Sequence, residues 1–95
     1  MNQLEYETFA EAVGTTFNVA QTVEIRLAEI SLKREIGRQV MFALYFVGPK
    51  EPFIPQGTYE MSHPTLGNGE LFLVPVAETS DGFKYEAAFN RISEA

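Results

Sequence analysis

Three residues of this 95-residue chain have the right types for hydrolytic chemistry: Ser62, His63 and Asp81. A Ser-His-Asp constellation needs the hydroxyl within reach of the imidazole, and the imidazole steadied by the carboxylate. Ser62 and His63 are neighbours in a strand-like run, and neighbouring strand residues point to opposite faces, so they do not meet. Glu60, Glu70 and Glu86 have the type, though no special spacing, for paired-carboxylate work on glycosides. Glutamate is also what the solvent faces of strands carry, and that reading is preferred. His63 is the sole histidine and cysteine is absent, so neither a His-pair nor a Cys-based metal site can form. Gly67-Asn68-Gly69 is too short for a phosphate cradle and reads as a turn. No catalytic, cofactor or metal residue is assigned, and the chain is not expected to be an enzyme.

The remaining candidates are for recognition. Phe53 and Ile54 stand between Pro52 and Pro55 in a stiff loop, where two large apolar residues could meet a partner. Folding back as a lid on one end of the core is the competing reading. His63, held extended before Pro64, could serve binding or pH sensing. Its plainer role is a turn residue whose ring bonds a backbone carbonyl. The partner-binding set is therefore Pro52, Phe53, Ile54, Pro55 and His63.

These residues need elements to position them. Residues 5–13 read as a short helix that docks by Phe9 and Val13, with Gly14 ending it. From residue 15 the period becomes two, with a bulge expected where the apolar phase slips near Ala28-Glu29 towards Ile30 and Leu32. Lys33–Arg38 reads as a charged turn. Residues 39–47 are apolar on both faces, the pattern of a strand covered on two sides. Residues 57–63, 70–77 and 83–90 complete the strands, with Pro75 at an edge or bulge and residues 91–95 a frayed tail. The expected fold is mainly β: a small antiparallel barrel or sandwich of about six strands, with one short N-terminal helix, in a single domain spanning 1–95.

Thirteen acidic residues against seven basic ones give a net charge of −6, which disfavours a phosphate backbone as partner. No basic-then-apolar leader and no membrane span is visible, so a cytoplasmic protein, or one assembled into a larger particle, is expected.

The segments FALYFVGP (42–49), IPQGTYEMSHPTLG (54–67), ELFLVPVA (70–77) and DGFKYEAAFN (81–90), with YETFAEAVGTTFNV (6–19), give the chain a resemblance. It resembles a bacterial family of short proteins known only as a domain of unknown function, while residues 20–40 fit least. Members are associated with phage-tail-collar-like proteins, which implies an accessory or structural role in a tail-like or fibre assembly. The family lends no catalytic residues. The expectation is a non-enzymatic module that binds another protein or itself. A barrel holding an apolar or carbohydrate ligand among its Phe and Tyr rings is the alternative.

Overall fold

The computed structural model describes Met1 and residues 3–92. Helix α1 (Tyr6–Glu11) precedes seven strands: β1 (Thr16–Val19), β2 (Val23–Ile30), β3 (Arg34–Ile36), β4 (Gln39–Gly48), β5 (Gly57–His63), β6 (Gly67–Thr79) and β7 (Gly82–Ile92). The antiparallel order β2-β1-β5-β6-β7-β4 closes on itself through β2–β4 pairing. Six strands thus form a barrel, and β3 is an extra strand on β4. Closure leaves none of the six as an end strand, although β6 and β7 part beyond Val74↔Glu86, where residues 67–73 pair only with β5 and residues 87–92 only with β4.

The period-two pattern decides what lies inside. Phe42, Leu44 and Phe46 of β4 pair with Phe89, Ala87 and Tyr85 of β7, and all six are buried. Phe17, Val19, Val23, Ile25, Leu27, Met61, Leu71 and Leu73 complete the wall's inner layer. Ring contacts knit the interior: Phe17 meets Phe46 edge-on at 5.1 Å, and Phe42 stacks on Phe89 at 4.7 Å. Full burial of a large apolar side chain is worth about 1.5–3 kcal/mol, so this layer dominates the fold's stability.

The expected bulge falls between Leu27 and Glu29. Pro75 sits at a second register shift, before Ala77, the kind of ladder irregularity in which a residue without an N–H is found. Other expectations are corrected. The helix ends at Glu11, so Ala12 rather than Val13 is buried beside Phe9, and Val13 points outward. Lys33–Arg38 is not only a turn, because Arg34–Ile36 pairs with β4 as β3. Leu32, expected in the apolar phase, is 84% exposed. The outward residues Met41, Ala43, Tyr45 and Val47 of β4 are half-buried, with no second layer over them among the described residues. Arg91 and Ile92 belong to β7 rather than to a tail, and residues 93–95 lie outside the described residues.

Candidate functional site

The chemistry-bearing residues are dispersed. Ser62 faces outward beside Asn68, His63 pairs with Gly67, and Asp81 lies in the β6–β7 turn. Glu60 and Glu70 are cross-strand partners on the exposed outer wall. Glu86 accepts from the Tyr45 hydroxyl and raises that tyrosine's pKa from the usual 10.0. Among the described residues no three His, Cys, Asp or Glu side chains gather into a metal cage.

His63 has its ring atoms engaged. Nδ1 accepts the amides of Thr65 and Leu66 at 3.1 and 3.2 Å, which marks it as the unprotonated nitrogen. Nε2–H then donates to Thr15 Oγ1 at 2.9 Å, because that hydroxyl gives its own hydrogen to the Ala12 carbonyl at 2.6 Å. The ring also lies 4.6 Å from Phe17. The expected carbonyl partner is thus replaced by two amides and a hydroxyl, and His63 fastens the β5–β6 turn to the chain after α1.

The proline-bracketed loop closes one barrel end. Ile54 is only 4% exposed, and its amide donates to the buried Tyr85 hydroxyl at 3.0 Å. Tyr59 Oη donates to the Pro55 carbonyl at 2.6 Å. Phe53 remains 45% exposed but rests edge-on against Phe83 at 4.8 Å. Pro52 and Pro55 are exposed beside it. The loop is a lid: Ile54 is inside the fold, and Phe53 is the one large apolar side chain it shows to solvent.

The opposite end is closed by α1, whose Phe9 is fully buried against Phe42 and Phe89. Arg91 donates to the Leu4 carbonyl and lies over both of these rings, at 5.3 and 4.9 Å. Burial lowers its pKa from the ordinary arginine value. Beyond this plug, β3, the start of β4 and the end of β7 continue as a three-stranded flap. Its inner side leans on α1: Tyr6 Oη donates to the Ser31 carbonyl at 2.9 Å, and Lys33 pairs with Glu7 at 3.2 Å.

The flap's outer side is different. Two rows of cross-strand partners span it, Arg34–Met41–Asn90 and Ile36–Gln39–Ile92. Leu32, Ile92 and Ile36 are 84%, 73% and 57% exposed, the most exposed of the large apolar side chains described. Leu32, Arg34, Met41, Ala88 and Asn90 line a shallow hollow of about 510 Å³ on this face. Large apolar side chains concentrated at the surface mark interaction sites far more often than singly scattered ones do. The sequence carried only a weak signal here: Ile36 sits in a charged hexapeptide, and Ile92 lies in what reads as a tail.

A small closed barrel with lids at both ends is the class of molecule this defines. The chain belongs to the DUF6916 family, a domain of unknown function, whose model matches residues 4–89. No curated protein and no solved structure matches it.

Proposed function

We propose that the domain is a non-enzymatic protein-interaction module whose contact surface is the outer face of the flap. The observation that carries this is the convergence of Leu32, Ile36 and Ile92 on that face, each more than half exposed. Leaving three large aliphatics in water forgoes about 1.5–3 kcal/mol each, which a partner recovers on covering them. Phe53, flanked by Pro52 and Pro55, is a subsidiary contact at the far end. Ile54 and His63 act within the fold. With Phe17, Phe46 and Tyr85 filling the barrel axis, a small-ligand reading draws no support. The net charge of −6 argues against nucleic acid as the partner. A tail-like or fibre assembly, the setting implied by the family resemblance, suits a small rigid connector of this kind. No helix described is long and apolar enough to cross a membrane.

Affinity capture from native lysate tests the reading, using wild-type, Leu32→Asp/Ile92→Asp and Phe53→Asp baits, with the mass of each bait measured in solution. The expected result is a protein partner, or self-association, lost with the flap variant and retained with Phe53→Asp. A wild-type bait that stays monomeric and captures nothing would overturn it.

A further inference from the structure

We infer that the flap's outer face binds a second copy of this chain, in a two-fold dimer whose axis runs along β4. The inference rests on the interaction-module reading and names its partner. Rotation about an axis lying along β4 sets each outward β3 residue of one copy over the β7 residue of the same row in the other. The row Ile36–Gln39–Ile92 then meets itself reversed, with Ile36 on Ile92 twice and Gln39 on Gln39. In the row Arg34–Met41–Asn90, Arg34 meets Asn90 and Met41 meets Met41. One step along, Ala88 pairs with Ala43, so small side chains form the floor on which the partner's Leu32 is received. Within these rows large opposes small, apolar opposes apolar and no like charges are apposed; the next outward row, Glu29–Tyr45–Glu86, would set Glu29 over Glu86, so the contact ends at Ala43 and Ala88.

Charge favours this face for a second reason. Two copies of a chain carrying −6 repel each other wherever their acidic walls meet. The outward flap positions (Leu32, Arg34, Ile36, Gln39, Met41, Ala43, Ala88, Asn90 and Ile92) hold no carboxylate.

The free edge of β3 is a poor alternative. Opposite residues in an antiparallel pair share a face, so a symmetric pairing must centre on a residue. Centring on Arg34, Glu35 or Ile36 sets Arg34 against Arg34, Glu35 against Glu35, or Arg34 against Arg38. Like charges directly opposite are destabilising, and charged edge strands guard against such pairing. The face is small, three short strands wide, so the dimer belongs with weak, concentration-dependent interfaces below about 1,200 Å².

Sedimentation equilibrium over a concentration series tests this, with chemical crosslinking beside it. The chain lacks cysteine, so Gln39→Cys introduces a single thiol at the axis. The expected results are three. The wild-type weight-average mass climbs from one chain towards two with concentration. Ile36→Asp/Ile92→Asp stays at one chain, with the melting midpoint of the wild type when both are dilute enough to be monomeric. A short bis-maleimide links Gln39→Cys into dimers but leaves Lys50→Cys, in the loop at the far end of the barrel, as monomer. Wild-type protein that remains a single chain throughout would overturn self-pairing. The interaction-module reading survives that result if lysate capture is still lost with Leu32→Asp/Ile92→Asp. Dimers that persist equally in Ile36→Asp/Ile92→Asp would overturn the assignment to this face.

Discussion

The barrel's two ends solve one packing problem with opposite outcomes. At the loop end, the eight residues 49–56 close the mouth, and the closing group, Ile54, is consumed in the core with its amide bonded to Tyr85. At the helix end, α1 closes the mouth with Phe9, yet the strands run on past the plug and present Leu32, Ile36 and Ile92 to water. Plugging a barrel needs nothing beyond the plug. The flap is therefore surplus to closure, and apolar surface surplus to closure is where binding is to be sought.

Mutation at each end breaks or sharpens this contrast. The largest effect is expected from the plugs: Phe9→Ala should cost about 3–5 kcal/mol and Ile54→Ala about 2–5 kcal/mol, read by denaturant unfolding. If either is near neutral, that end is not closed as described. Tyr85→Phe should cost about 1–3 kcal/mol, since it strips a buried amide of its acceptor while leaving the ring in place. His63→Ala should cost about 1 kcal/mol, with faster amide exchange at Thr65 and Leu66, because both lose their acceptor at a partly solvated turn. The flap charges Leu32→Asp and Ile92→Asp should each change stability by no more than about 0.5 kcal/mol. A large loss there would make the flap structural and remove the contrast.

The smallest effect is one of pH. Glu86 raises the Tyr45 pKa above 10.0, so the fold favours the neutral hydroxyl. That stabilisation is complete below the unfolded value and fades as pH rises through the folded one. Tyr45→Phe should flatten the alkaline limb of a stability–pH curve and leave the neutral region unchanged.

Much of the barrel is legible in the chain because alternation is a local property. Phe83, Tyr85, Ala87 and Phe89 read as one face, and three of them are buried, with Phe83 packed against the core. The slip at Ala28 reads as a bulge for the same reason. What alternation cannot encode is where along a strand the barrel stops. Met41 and Phe46 look equally central in the sequence, but only Phe46 is enclosed, because α1 plugs the barrel at Phe42 and no described residue covers the outer wall. The candidate site suffered most from this. Pro52–Pro55 stands out by its proline chemistry, yet only Phe53 of its two apolar residues faces solvent, while Ile54 serves the lid. Lys33–Arg38 read as a solvated turn because its charges outnumber its one aliphatic, Ile36.

Ser31 joins the two regimes. Its amide donates to the Ala43 carbonyl at 2.9 Å, and its hydroxyl accepts the Ala43 amide at 2.8 Å. Between Ile30↔Leu44 and Arg34↔Met41, β4 advances three residues while the opposing chain advances four. One serine therefore closes the ladder across an extra residue and lets β2 and β3 share the same edge of β4 without sharing a register. That makes the segment a splice point. Lengthening the β3–β4 hairpin by residue pairs would extend the sheet outward, while the barrel behind Ser31 keeps its closure, its pairing and its core. The molecule can thus change the reach of its surface without renegotiating its fold.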